Sequence, residues 1–475
     1  MDSTFESYKP ELQTRFRFRR QWVLRDASEQ PQAGWHVFQL NTRLHLLVQR
    51  DAFIFSKKVA DSSELFLIGL ALVRDSELDA LFASIDHEEI CAALDSIAGQ
   101  YVVITVRNGA VALYTDPAGM APVFYQGGFA ASSPMLLART DRDKELDRIY
   151  PLSGTDDWYT GSLTPFAGTR YLLANHYLDL ESGVAARFWP RCVPVPQSPD
   201  QALNQIAQDL RSSIDSLIGR GKVIFSLTGG KDSRVNLAAA RQHLSSAEFF
   251  TLRSKKIKAC DLEIPQLLSE RFGLRHRFID IPAAPEWLTA FYDEISGKMA
   301  MGARREVIGA CLQLEARDAI HVNGNLGALT KAFFWPDANP KVVHTKALAK
   351  EFINKAKPIM MGLEEWRRSL PDFLPPSVVY NLMYLEQRGG RWMGPGENAS
   401  ALFYQSISPF ASRRIFEAIS SMPNEFLHRG TILVDLVERL WPELLEIPYC
   451  RNTRRLSWFL PRSTKQHLKR WLSRK

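Results

Sequence analysis

One stretch fixes more about this chain than any other: residues Val223 to Ala240, reading VIFSLTGGKDSRVNLAAA. Its first four residues are apolar or small and too few for a helix, so they read as a buried strand. From about Lys231 the apolar residues recur at helical spacing, and Asp232 and Ser233 suit a helix start. Thr228, Gly229 and Gly230 form the turn between them. The first N–H groups of a helix have no intrachain acceptors, and the helix dipole adds partial positive charge there, so such a turn attracts phosphate. Glycines let the backbone approach an anion without a Cβ in the way. No Lys-Ser/Thr pair follows a second glycine at Walker spacing, so this is a different kind of phosphate loop. The plain alternative is an ordinary capped strand-to-helix turn. Leu237, Ala238 and Ala240 read as packing residues.

The pattern around this stretch is strand–helix–strand. Ala202 to Ile218 is an amphipathic helix leading into it. Glu248–Arg253, His276–Ile281 and Ala319–Asn323 follow as strands, with a helix over Asp261–Phe272 and a second glycine turn over Gly324–Gly327. Such alternation predicts a parallel sheet, with ligands at the carboxyl ends of its strands, where both glycine turns fall. Residues after about 345 are mainly helical. Residues 35 to 190 differ: short alternating runs such as Leu44–Gln49, Tyr101–Val106 and Val111–Tyr114 are separated by turns, which predicts an antiparallel, layered α+β half. The proline-rich segment Arg191–Asp200 reads as an extended linker.

At 475 residues the chain is too long for one ordinary core. Its 45% apolar and 23% charged residues are those of a globular protein. No apolar run has membrane-spanning length, and no signal peptide is visible, so a cytoplasmic location is expected. Five cysteines (Cys91, Cys192, Cys260, Cys311 and Cys450) show no metal spacing and are expected to be reduced thiols without a redox role. The net charge is +7, and Arg451–Lys475 carries nine basic residues and no acidic one. That tail fits a patch for nucleic acid, anionic lipid or an acidic substrate. It fits a terminal helix with a solvated face better, so nucleic acid is not an expected partner.

The order Thr-Gly-Gly-x-Asp-Ser over residues 228–233 resembles the pyrophosphate loop of ATP pyrophosphatases, whose usual form begins with Ser. The two halves together resemble the asparagine synthetase superfamily, which includes β-lactam synthetases and lasso-peptide cyclases. In the first half, Ala98–Ile104, Leu113–Tyr125 and Ala131–Ser133, with Asp116, Gly119, Pro122, Tyr125 and Ser132 in register, resemble a class II glutamine amidotransferase domain. Ser408–Arg414, Pro423, Arg429 and Pro442–Pro448 resemble the helical end of the synthetase domain. The resemblance implies an antiparallel β-sandwich-type, amidotransferase-like domain over 1–195. An α/β pyrophosphate-loop (adenine nucleotide α-hydrolase-like) synthetase domain with a helical C-terminus would follow over 196–475.

It also implies a function: an ATP-dependent, AMP-forming carbon–nitrogen ligase that adenylates a small-molecule or peptide carboxylate and joins it to an amine. Homodimer formation is left open. ATP would contact Leu227, Thr228, Gly229, Gly230, Asp232, Ser233, Leu252, Asn323 and Gly324, with Asp232 holding Mg2+. Lys331, Arg429 and Arg454 are candidates for stabilising the amide-forming step, and each also fits an ordinary surface cation. Two departures bear on this. The glutaminase reaction needs a cysteine after the initiator methionine, and position two is Asp2, so glutaminase activity is not expected and Met120–Pro122 reads as fold. In the second glycine turn, Ala328 and Leu329 stand at or near positions where the family carries magnesium-holding acids. Asp261, Glu263 and Glu306 are the nearby carboxylates that could compensate. Two alternatives therefore stay open: a catalytically silent binding or scaffold protein of this fold, or another pyrophosphate-loop ligase acting on RNA. Asp156–Tyr159 and Leu385–Trp392 fit either a substrate pocket or packing.

Overall fold

The computed structural model describes residues 18–29, 33–60, 62–137, 141–152, 157–255, 257–299, 303–313, 318–351 and 356–450. The first half holds two six-stranded antiparallel sheets. One contains β1 (Trp22–Asp26), β2 (Trp35–Gln39), β3 (Leu44–Gln49), β8 (Phe124–Gln126), β9 (Phe129–Ala131) and β10 (Arg170–Tyr171), in the order β10-β8-β9-β1-β3-β2. The other contains β4 (Ile54–Ala60), β5 (Ser63–Ala71), β6 (Gly99–Arg107), β7 (Ala110–Thr115), β11 (His176–Asp179) and β12 (Ala185–Arg187), in the order β12-β11-β7-β6-β5-β4. Alternate residues of the two sheets meet in a shared apolar layer that includes Leu24, Leu46, Val48, Phe66, Ile68, Val102 and Ile104. The opposite face of the second sheet is covered by α1 (Asp75–Leu81) and α2 (His87–Ser96), through Leu78, Ile90 and Leu94.

The second half is built on a five-stranded parallel sheet. Its strands are β13 (Val223–Ser226), β14 (Ala247–Arg253), β15 (His276–Asp280), β16 (Ile320–Val322) and β17 (Gln405–Ile407), in the order β15-β14-β13-β16-β17. The order reverses at β13, the place where open parallel sheets present a ligand crevice. Val223, Ile224 and Phe225 are almost fully buried, as a central parallel strand requires. The helix before it, α3 (Pro199–Leu217), starts at a capping box in which Ser198 and Gln201 bond reciprocally, with Pro199 at its first position. Helix α4 (Lys231–Ala239) follows β13, and α5 (Cys260–Phe272) follows β14. Strand β17, reading Gln-Ser-Ile, was not apparent in the sequence pattern, because three residues carry no periodicity.

The halves pack directly on each other, and one buried apolar cluster runs through residues on both sides of position 195. Asp116 is buried and accepts the N–H groups of Ala118, Met120 and Ala121, which shapes the turn read as fold. Gly119, in the left-handed region, lets that turn approach Gly390 and Gly394, where a Cβ would leave no room. Arg413 reaches from the second half to the carbonyls of Leu94 and Thr115 and to the Asn175 side chain. Glu386, fully buried, accepts from Arg187 Nη1 and Nη2 at 2.7 Å each, and from Asn175 and Trp366. Among the described residues no helix is long and apolar enough to cross a membrane.

Candidate functional site

At the carboxyl ends of β13, β14 and β16 the polypeptide encloses a cavity of about 430 Å3. Leu227, Thr228, Leu252, Asn323 and Gly324 line it, together with Phe250, Thr251, Ile257, Asp261, Val307, Ala310, His321, Asn325 and Tyr404. The lining thus combines apolar and aromatic side chains with the loop residues. Five of the nine residues expected to bind a nucleotide meet here, and the other four (Gly229, Gly230, Asp232 and Ser233) form the adjoining turn. Thr251 was not singled out in the sequence. Its hydroxyl donates to the Leu227 carbonyl at 2.6 Å and so accepts from His276 Nε2 at 2.8 Å. Burial pushes the His276 imidazole down to about 4, so it is neutral at pH 7. Strand-end position was the one available signal for these residues.

Within the loop every backbone donor is engaged. The Thr228 N–H bonds Ser233 Oγ at 3.1 Å, and the Gly230 N–H bonds Thr228 Oγ1 at 3.1 Å. The Gly229 N–H, expected to face a phosphate, donates to Asp261 Oδ1 at 3.0 Å. Gly230 then starts α4 with no side chain capping it, and the first N–H groups of a helix have no acceptors within the helix.

The second glycine turn presses on the same helix start. A Cβ at Gly324 would lie 2.8 Å from Asp232 Cβ, and one at Gly327 would lie 2.3 Å from Asp232 Oδ1. A 3-10 turn over Gly327–Lys331 follows, flanked by Leu326 and Ala332, both with left-handed backbone. It brings Lys331 Nζ to 3.1 and 3.0 Å from the two Asp232 oxygens. The Asn323 side chain donates to Ser406 and accepts the Asn325 N–H, and its backbone carbonyl accepts from Asn236, so it holds the turn together. These residues do not fit a magnesium ion. Both Asp232 oxygens face an ammonium, Ala328 and Leu329 offer no ligand atom, and Glu306 is exposed outside the cavity. Glu263 also lies outside the cavity lining, and its carboxyl is raised by partial burial. Among the described residues the grouping of three ligand atoms close enough for one ion is Cys260, Asp261 and Cys450, without Asp232.

Those cysteines overturn the expectation of unpaired thiols: Cys260 and Cys450 form a disulfide across 190 positions of sequence. Spacing could not reveal it, because the parallel sheet brings the start of α5 beside the last described residues. Cys450 also donates its N–H to the Gly229 carbonyl at 2.8 Å, and Arg234 of α4 donates to the carbonyls of Leu444 and Pro448. The glycine loop Thr228–Gly230 is therefore held between two joined segments. Cys91, Cys192 and Cys311 take part in no disulfide among the described residues.

Of the remaining candidates, Arg429 is exposed at the end of the helix Asn424–His428, next to Gly430, whose carbonyl lies 3.5 Å from Lys231 Nζ. It does not line the cavity. Arg454 and the basic tail lie outside the described residues, as do Asp2 and Asp156. The Arg388 guanidinium lies 5.4 Å from the Trp158 ring and 3.8 Å from the Trp392 ring, the two rings are tilted with centroids 6.3 Å apart, and Arg391 donates to the carbonyls of Tyr159 and Leu163. That arrangement supports packing over a pocket for these two segments.

No protein-family model matches the chain, and no curated protein sequence matches it. Among solved structures, it is similar to a glutamine phosphoribosylpyrophosphate amidotransferase from B. subtilis complexed with ADP and GMP. The likeness has a TM-score of 0.21 at 10% identity and covers 76% of this chain and 89% of the other. At that level it assigns neither a fold nor an activity.

Proposed function

We propose that the chain binds ATP in the cavity beside Thr228–Ser233 and uses it to activate a carboxylate for amide formation. The carrying observation is the junction of β13, loop and α4 beside a cavity of about 430 Å3, lined in part by apolar side chains, at the reversal point of a parallel sheet. That size falls in the range of about 300–1,000 Å3 typical of small-ligand sites. Adenine suits the wall of Phe250, Leu252, Val307 and Ala310, and the phosphates suit the start of α4. In the reaction a substrate carboxylate oxygen forms a bond to the α-phosphorus as the bond to the β-phosphate oxygen breaks, releasing pyrophosphate. An amine then attacks the acyl carbon, AMP leaves with the bonding electrons, and the amine proton passes to a base. The amine comes from a second substrate.

A second reading is a nucleotide-binding protein without turnover, and the Asp232–Lys331 pair and the engaged Gly229 N–H favour it. ATP–pyrophosphate exchange across a panel of carboxylates, run beside ATP calorimetry, separates the two. Exchange with any carboxylate supports the ligase, and binding without exchange supports the silent binder. No ATP binding rejects both.

A further inference from the structure

We propose that the Lys331 ammonium stands in for the divalent cation at this site, so that the loop binds the nucleotide without magnesium. The proposal rests on the nucleotide-binding reading above. Asp232 is the second residue of α4 and the residue a metal would need, yet both of its oxygens lie 3.0–3.1 Å from Lys331 Nζ. Magnesium demands near-octahedral oxygen ligands at about 2.0–2.1 Å and keeps several waters. A lysine ammonium needs only the 3 Å contacts seen here. The second glycine turn presses on Asp232 from the other side: a Cβ at Gly324 would lie 2.8 Å from Asp232 Cβ and 3.3 Å from its backbone carbonyl carbon, and one at Gly327 would displace the carboxylate from Lys331.

Lys331 is placed by its chain and not by chance of rotamer alone. It ends the tight turn Gly327–Lys331, and the next residue, Ala332, holds a left-handed backbone with φ of 47°. A non-glycine residue adopts that conformation at a cost and where surrounding packing imposes it. Lys331 and Asp232 keep about a third of their side-chain surface exposed, at 35% and 31%, so the pair is open to solvent beside the loop and is not a sealed core bridge. An ammonium carries three N–H donors, and the Asp232 oxygens leave at least one for a phosphate oxygen. Lys231 stands at the first position of the same helix, with its ammonium near the Gly430 carbonyl. Two monovalent cations beside one loop supply the charge that a single divalent ion would supply, with no exchangeable ligand. The alanine and leucine at positions 328 and 329 follow from this: with Lys331 in place, acids there have no metal to hold.

The test is calorimetric titration of the full chain with ATP, once in EDTA and once in excess Mg2+. The two wild-type affinities should agree within about threefold. Lys331→Gln should bind about tenfold more weakly in EDTA, the loss of one charge-assisted contact, and regain affinity in Mg2+ because Asp232 is released. Lys331→Arg should keep the wild-type behaviour in EDTA. Wild-type binding that is strong in Mg2+ and falls tenfold or more in EDTA overturns the proposal and leaves the ATP site standing. Wild-type binding in neither condition overturns the ATP reading and the proposal together. The wild-type arms decide without any variant, and Lys331→Gln binding as tightly as wild type in EDTA also overturns it.

Discussion

Asp261 Oδ1 accepts the Gly229 N–H at 3.0 Å, so a carboxylate of α5 sits where the loop would present its donor to a phosphate oxygen. An anion arriving at Gly229 must displace this bond and meets a like charge. Removing the carboxylate should therefore help. Asp261→Ala should tighten binding of inorganic pyrophosphate by about tenfold, or roughly 1.4 kcal/mol, a modest share of a partly screened charge repulsion. Calorimetry reads this directly. Weaker binding in the variant would mean that Asp261 holds the loop in its receptive shape and does not compete with the ligand.

The Cys260–Cys450 link bears on the same loop, since Gly229 lies between the joined segments with its carbonyl bonded to the Cys450 N–H. Peptide mapping without reduction should recover one cross-linked pair, Cys260 with Cys450. In the folded protein iodoacetamide should modify Cys192, which is exposed, well before the buried Cys91 and Cys311. Modification of Cys260 and Cys450 without prior reduction would show that the link does not form in solution.

How much of this could be read from residues alone divides along physical lines. The strand before Thr228, the helix after it and the second glycine turn all follow from local patterns, because burial, helix spacing and glycine act within a few residues. The antiparallel first half was readable for the same reason, from Leu44–Gln49 and Tyr101–Val106. Contacts made by long-range packing were not. Nothing near Asp232 in sequence announces Lys331, 99 positions away, and nothing near Cys260 announces Cys450. The expected metal ligand and the expected reduced thiols were both set aside by such contacts. Strand β17 escaped because its three residues satisfy no period.

Buried titrating groups give the fold a defined response to acid. His176 is fully enclosed, and burial, reinforced by the nearby Arg187 charge, pushes its imidazole from 6.5 down to about 3. Its Nδ1–H donates to the Ala174 carbonyl at 2.8 Å in the neutral form. An unfolded chain protonates this imidazole below pH 6.5 while the folded chain does not, so the unfolded state binds more protons throughout that window. Stability from this group is complete above pH 6.5 and is lost as pH falls through the window toward 3. Asp116 acts in the opposite sense: burial raises its carboxyl from 3.8 to about 6, so the folded state holds the extra proton between those values. The two partly cancel in the wild type, so a difference measurement is the informative one. Between pH 7 and pH 5, wild type should lose about 2 kcal/mol more than His176→Gln in urea unfolding. Equal losses would mean that His176 gains a proton in the folded protein near its ordinary value.

The halves of the molecule also meet backbone to backbone, at Gly161 and Gly362, and this contact fixes how the helix Lys357–Arg368 lies on the first half. A Cβ on Gly362 would stand 2.1 Å from the Thr160 carbonyl oxygen, and one on Gly161 would stand 2.3 Å from the Gly362 carbonyl oxygen. Neither neighbour is a side chain that can swing away. Thr160 is held by its own hydroxyl, which donates to the Ile359 carbonyl at 2.6 Å, and the Gly161 N–H donates to Gln387 Oε1 at 2.9 Å. A methyl group on Gly362 must therefore push the whole helix outward and stretch the Thr160–Ile359 bond. Gly161 adds a second constraint through its left-handed φ of 57°, which disfavours any other residue even if space were made. Gly362 carries no such restriction, so its substitution isolates the steric contact. Gly362→Ala should lower stability by about 1–3 kcal/mol, the usual range for overpacking, despite the gain in helix propensity of up to about 1 kcal/mol that alanine brings. Alanine at an exposed glycine-free surface of the same helix cannot mimic this, so Met361→Ala, half exposed at 51%, serves as the control and should change stability by less than about 0.5 kcal/mol. If Gly362→Ala melts at or above the wild-type temperature, the helix is free to move off Thr160 and the close contact does not set the packing of the two halves.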